Sequence, residues 1–392
     1  MNNYSVPAMF NQQFIDHIET LNNRSTDSRV TQVYGALKDC MVGSIMPKDF
    51  FPEVQLADLK DYCQKLEAIG VEFNYVMNSI TQNGKEYDKA YLDQLCDFIA
   101  DLQKCGINNF TIAEPSLIRF VHQNFPEVII KGSITLDVTT KRKLKYFIDM
   151  GVKAIVVSRN INRDPHALSS IISIKKKHDI KIELLATTPC LWDCPSVIEH
   201  AIVSSQQSGS NSGGVSSSNI PYPYQYCSKR KIDDFQETIT IPVIRPEEVD
   251  YYTELGVDSF KFTGRLYPRD YIQSIMEIYF NKRLEGNYFY LVSPRYPRNK
   301  SDIESATKPM YLENELLDQR FEYMQDNDGC EDCDACKICH KLERKVVFNA
   351  EWRNQLLNYW SQGSNRIATF SGMDLQLKKE RMRALKQRAS SS

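Results

Sequence analysis

Four cysteines fall within ten residues of one another in GCEDCDACKICH: Cys330, Cys333, Cys336 and Cys339. Thiolates spaced C-x2-C-x2-C can wrap one face of a 4Fe–4S cluster, as in the bacterial ferredoxin run C-x2-C-x2-C-x3-C-P. Here the last spacing is two residues and no proline follows, so the fourth cysteine is free to bind elsewhere. Zinc is the competing ligand, but it favours two C-x2-C pairs a dozen or more residues apart. Pairs separated by two residues close a tetrahedron with difficulty. The neighbouring Asp326, Asp328, Glu331, Asp332 and Asp334 are expected to hold such a cluster at low potential, because negative charge disfavours reduction.

A second set is Cys190 and Cys194 in TTPCLWDCP, with Cys227 in PYQYCSKR. A C-x3-C pair alone says little, but a third cysteine on the same long connection points to a second cluster site. A radical-generating C-x3-C-x2-C signature is excluded, since position 197 is valine. Three thiolates leave one iron to be filled by Cys40, by Cys339, or by substrate. The expectation is therefore two 4Fe–4S clusters. Cys63, Cys96 and Cys105 fall in helical patterns and read as small buried hydrophobes.

The elements that must position these residues alternate between short β-branched runs and amphipathic stretches. Eight strands are predicted: Val33–Leu37, Val71–Asn78, Asn109–Ala113, Ile129–Leu136, Ala154–Ser158, Lys181–Ala186, Ile239–Ile244 and Ser259–Thr263. Helices are predicted between them, and several end in a glycine that turns the chain back, as at Gly70, Gly106, Gly151 and Gly256. Eight β/α repeats favour an α/β fold of the closed (β/α)8 TIM type. Residues 1–30 read as an N-terminal helix and lead-in, 31–284 as the barrel, and 285–392 as a cysteine-bearing appendage ending in the basic helix KKERMRALKQR. That helix reads as a solvated face. Roughly fifty residues separate the predicted sixth and seventh strands, far more than usual for a βα loop. This connection carries the second cysteine set and, over 203–220, a serine- and glycine-rich stretch that reads as a flexible linker.

Catalytic groups in such barrels sit at the C-terminal ends of strands. Cys190 and Cys194 fall there, as do Arg159 and Asn162. Arg163, Asp164, Lys261 and Arg265 are the catalytic candidates, and Asn74, Asn78, Glu114 and Arg245 the substrate-binding ones. Arg245, Lys261 and Arg265, at the ends of the last two predicted strands, suggest an anion site. Each has a plainer rival role: Asp164 as a helix cap before Pro165, Arg163 or Arg265 in a structural ion pair.

The chain has 392 residues and a formal net charge of −2, so no bulk attraction to nucleic acid or an anionic membrane is expected. Its opening residues lack the basic and apolar blocks of a secretory signal, and no apolar run approaches the ~20 residues of a membrane span. A cytoplasmic location is expected. Eleven cysteines in such a chain read as ligands or redox groups rather than disulfides.

Residues 30–290 resemble peptidase family U32, the collagenase-like peptidases. The resemblance is carried by VYGAL followed by GSIMP, EFNYVMNS, NRD at Asn162–Asp164, ELLATTPCLWDCP, Cys227, RPEEVDYYTELGVDSFKFTGR and EGN at Glu285–Asn287. It implies a barrel with, in several branches, a cysteine-bound 4Fe–4S cluster and oxygen-independent hydroxylation of quinone precursors or modification of RNA bases. The sequence departs from the family in having three mouth cysteines, not four, and GSIMP in place of a GSGRP-like turn. The expected activity is redox chemistry or oxygen-independent hydroxylation of a small molecule or peptide, with a redox partner or second subunit as a possible associate. The rivals are a peptidase and a non-catalytic electron-transfer subunit. No H-E-x-x-H or G-x-S-x-G motif supports hydrolysis, although a Cys–His pair involving His200 remains open.

Overall fold

The structure is a computed structural model describing residues 1–208, 222–292, 310–327, 329–330 and 333–361. Eight parallel strands close into a barrel in sequence order: β1 Asn2–Pro7, β2 Ser28–Gly35, β3 Glu72–Met77, β4 Asn109–Ile112, β5 Ile129–Gly132, β6 Val152–Val156, β7 Lys181–Leu185 and β8 Ser259–Lys261. Closure is made by β1 against β8, where Tyr4 pairs with Phe260 and Ser5 with Lys261. Helices α1 Gln12–Arg24, α2 Leu56–Ala68, α3 Lys89–Lys104, α4 Pro115–Asn124, α5 Lys141–Asp149 and α6 Pro165–Ile172 follow β1 to β6 in turn. Their apolar faces, such as Leu95, Ile99 and Leu102 of α3, are buried. Gly151 ends α5 at φ +103°, and a side chain there would meet the His122 ring at 2.2 Å, so only glycine fits.

The barrel is the one expected, but its strands are shifted by one. Residues 1–30 contain the expected helix, α1, but the segment before it is a barrel strand, β1, rather than a lead-in. The strand was hard to read because NNYSVP is half polar. Its polar side chains are satisfied by the barrel's last segments: Asn2 Nδ2 donates to Asp250 Oδ1 at 2.7 Å, and Asn3 Nδ2 to the Asp258 carbonyl at 3.1 Å.

Conversely, Ile239–Ile244 is not a strand. Phe235–Ile239 forms a short helix, α9, and the chain then runs extended past Pro242, which has no N–H for a ladder. Its carbonyls are taken by side chains instead. Arg163 reaches Ile241 O at 2.5 Å, and Asn162 Nδ2 reaches Pro242 O at 2.8 Å. The long connection therefore follows the seventh strand and carries α7 Val197–Gln206 and α8 Tyr222–Asp233 before α10 Val249–Leu255. The expected linker over 203–220 begins inside α7. Ser204, Ser205 and Ser208 are buried, and Ser208 Oγ accepts Ser44 N at 2.8 Å. Residues 209–221 lie outside the described residues.

After α11 Arg269–Phe280 the appendage folds against the barrel's C-terminal end. It contains β9 Met310–Tyr311 paired antiparallel with β10 Val347–Phe348, and α12 Asp318–Asp326, α13 Cys333–Cys336 and α14 Ile338–Glu343. The basic segment KKERMRALKQR lies outside the described residues. Among those described, no helix is long and apolar enough to cross a membrane.

Candidate functional site

The C-terminal ends of the strands enclose a cavity of about 240 Å³. Its walls are mostly apolar, from Ile45, Met46, Ile134, Leu185 and Leu266, and three cations reach it: Arg159 after β6, Lys261 at the end of β8 and Arg265 four residues on. No Asp or Glu is among its described lining residues. Lys261 is 9% exposed, and its ammonium lies 3.6 Å from the centre of the Tyr34 ring. Burial, and then the nearby Lys131 and Arg265, lower its pKa to about 7 against the opposing pull of Glu183. Arg265 Nη1 donates to Ser44 Oγ at 2.9 Å; Ser44 donates to Asn78 Oδ1 at 2.6 Å, and Asn78 Nδ2 to Ser133 Oγ at 3.3 Å. Arg159 Nε is enclosed without a hydrogen-bond partner.

Lys261, Arg265 and Asn78 are thus brought together as expected, and the other candidates are not. Asn74 faces a second cavity, of about 730 Å³, at the opposite end of the barrel, where Lys131 and Glu183 pair at 3.0 Å. Glu114, between β4 and α4, does not line the mouth cavity. Burial, and then neighbouring Glu86, push its carboxyl up to about 7. Arg245 is 1% exposed, bonded through Nε to Glu248 at 2.6 Å and through Nη2 to Asp318 at 2.9 Å. With no strand to carry it to the mouth, it lies under the appendage as part of an ion network. Asp164 is the cap of α6, accepting Ala167 N at 2.7 Å.

Among the described residues, the mouth cysteines do not form a group placed to hold a metal ion. Cys190 lines the cavity. The Cys194 thiol is pushed up by burial, with Cys227 and Cys190 close enough to add to the shift and Arg159 close enough to oppose it. Cys227 is buried on α8. Cys40 turns elsewhere: its Sγ accepts Gly43 N at 3.3 Å and lies 3.9 Å from Val76 O. Cys63 and Cys105 are buried, while Cys96 is half-buried.

The second centre is a small pocket lined by all four of Cys330, Cys333, Cys336 and Cys339 together with Arg163, Arg320 and Trp192. Arg163 is therefore not a mouth residue. It is 4% exposed, bonded to the Ile239 and Ile241 carbonyls, with its guanidinium 5.6 Å from the Trp192 ring centre. Among the described residues it meets no carboxylate. Arg320, also 4% exposed, donates to Ile239 O at 2.7 Å and stands 3.7 Å from Glu248. The Cys330 thiol is raised by burial, with Arg163 and Arg320 opposing. Of the acidic residues expected around this centre, Asp326 is exposed, the Asp334 side chain is not described, and Asp328, Glu331 and Asp332 lie outside the described residues.

A sequence profile of peptidase family U32 matches residues 23–287. The chain belongs to peptidase family U32. An uncharacterized protease of Methanocaldococcus jannaschii is 27% identical to this U32 chain over 279 residues, covering 71% of it and 79% of the relative. A solved U32 peptidase superposes with a TM-score of 0.48 at 14% identity, covering 68% of this chain and 95% of that one. Orotidine 5'-monophosphate decarboxylase from Sulfolobus solfataricus superposes with a TM-score of 0.32 at 12% identity, covering 71% and 98%. The family match ends before residue 330, so it leaves out the appendage cysteines.

Two residues of the U32 chain gained importance only in the structure. Arg159 follows the predicted strand end at Ser158, a signal that placed it at the mouth but gave it no role. Arg320, in a polar helix, carried no signal at all, because only the folded appendage sets it beside the cysteines.

Proposed function

We propose that this U32 protein is an iron–sulfur enzyme acting on a small molecule or peptide at the barrel mouth by redox chemistry or oxygen-independent hydroxylation. The observation that carries the reading is the pocket where four cysteines face Arg163 and Arg320, two buried guanidiniums. Arg320 has Glu248 at 3.7 Å, but Arg163 has no carboxylate among the described residues; a buried cation needs a counter-charge, and a cluster held by four thiolates would supply one. Among the described residues, no group of three His, Cys, Asp or Glu side chains is placed to hold a metal ion, so the preference for a cluster over zinc rests on the C-x2-C-x2-C spacing.

Cys330, Cys333, Cys336 and Cys339 would hold one cluster, and Cys190, Cys194 and Cys227 the second, with one iron lacking a thiolate. Such clusters, when bound, supply one-electron steps, and an iron without a thiolate can bind a ligand oxygen or nitrogen. The chain itself contributes the rest. The apolar walls exclude water, and Lys261, with a pKa near 7, can give or take a proton at Nζ. The appendage would meet a redox partner or second subunit. The test is anaerobic purification followed by iron, sulfide and zinc analysis with electron paramagnetic resonance. Iron and sulfide in equal amounts, at about eight of each per chain, are expected. Stoichiometric zinc without sulfide rejects the reading.

A second reading, a cysteine-type hydrolase, is favoured by one observation: Cys190 and His200 line the same cavity. Peptide cleavage by protein free of iron and reductant would establish it.

A further inference from the structure

We propose that the mouth cavity binds a small organic anion, a carboxylate or phosphate on an apolar body, held between Arg159, Lys261 and Arg265. The inference rests on reading the mouth as the reaction site, and it names the class of molecule bound there.

Two buried cations elsewhere are paired with acids: Lys131 has Glu183 at 3.0 Å, and Arg245 has Glu248 at 2.6 Å. The mouth cavity offers no such partner along its described lining. Its three cations arise from two different loops and a strand end and converge on one cavity, with no carboxylate among its described lining residues; Glu183, which acts on Lys261, is already ion-paired with Lys131. Lys261 Nζ has no hydrogen-bond acceptor among the described residues and rests on the Tyr34 ring. Arg265 makes one side-chain hydrogen bond, to Ser44 Oγ. Arg159 Nε, enclosed and unpartnered, is a donor with nothing yet to donate to. Leaving such donors buried is costly, and an anion with two or three acceptor oxygens satisfies them together. Lys261 and Arg265 serve the cavity.

The remaining walls define the rest of the ligand. At about 240 Å³ the space is below the roughly 300–1,000 Å³ of a drug-sized site, so the ligand is small. Ile45, Ile134 and Leu266 call for an apolar or aromatic body, and Asn78 and Ser133 can meet one hydroxyl or carbonyl.

The test is calorimetric titration of the purified full chain with benzoate and with phenyl phosphate, against uncharged benzamide. At least one anion should bind about tenfold or more tightly than benzamide, and which anion wins tells carboxylate from phosphate. Lys261→Met and Arg265→Met should each remove that preference while leaving melting temperature and iron content unchanged, and Arg265→Lys should retain part of it. Anions that bind no better than benzamide overturn the proposal, as does an unchanged preference in both Met variants. Iron analysis of the same samples keeps the two readings apart. Protein without iron that still prefers the anion rejects the cluster and upholds the anion site, and iron-loaded protein without the preference does the reverse.

Discussion

The main-chain carbonyl of Arg163 accepts the amide hydrogen of Cys330 at 3.1 Å. One residue of the β6–α6 loop thus fixes the first appendage cysteine through its backbone and faces the same pocket with its guanidinium. The loop also holds the mouth cysteines. Trp192 Nε1, between Cys190 and Cys194 in sequence, donates to Asn160 O at 3.1 Å.

If the appendage cysteines hold the proposed cluster, Arg163→Met should lower its reduction potential, because a buried positive charge favours the reduced, more negative form. Arg163→Lys should restore part of the shift. A redox titration followed by electron paramagnetic resonance reads this directly. A purely structural role would cost about 1–3 kcal/mol of stability, seen as a lower melting temperature, and leave the potential of any cluster unmoved.

Gly329→Ala should detach the appendage. Gly329 has φ +139°, and a methyl there would sit 2.9 Å from Arg163 O. The expected cost is about 1–3 kcal/mol, read as a lower melting temperature, with lost appendage iron and mouth iron intact. Full appendage iron at an unchanged melting temperature would count against the packing described.

Cys194→Ala and Cys333→Ala should remove different signals, the first from the mouth and the second from the appendage. Spectra of both variants, each checked for folding by circular dichroism, decide this. Loss of both signals in either folded variant would mean that the two sets share one site.

Lys261 sets a pH dependence. It is faced by Tyr34, Arg265, Lys131 and Glu183, and its folded pKa is lowered from 10.5 to about 7. Affinity for an anion should therefore fall as pH rises through about 7, and Lys261→Met should flatten that profile. In the ligand-free protein, the unfolded chain binds more protons than the folded one between about 7 and 10.5. Its contribution to unfolding free energy therefore rises with pH across that window and is least favourable below it. Melting curves of both proteins across the window test the sign.

Arg245→Met should destabilise the protein by about 3–5 kcal/mol, since it leaves Glu248 buried with a partner removed. Denaturant titration measures the loss. Benzoate affinity at the mouth should be unchanged, in contrast to Arg265→Met.

The barrel was legible because apolar runs and helix-ending glycines recur with its period, and Asn78, Lys261 and Arg265 were legible because strand ends locate a mouth. The register was not. NNYSVP hides a strand whose polar groups are paired by residues some 250 positions away, while IPVI imitates one although Pro242 bars the ladder and barrel side chains take its carbonyls. That one-strand error carried Arg245 to the mouth on paper and left it under the appendage in the fold. Arg163 was placed in the right loop with the wrong facing, because the direction a loop residue points depends on packing that no local pattern encodes.

The pairing of Ser5 with Lys261 sets a timetable for the site. The two residues are 256 positions apart (261 − 5), and at about 5–20 residues per second roughly 13–50 s of synthesis separate them. Until the last strand emerges, the ring lacks the pairing that closes it and the mouth lacks Lys261 and Arg265. The cavity is thus among the last features of the molecule to be completed, although its other walls are made long before.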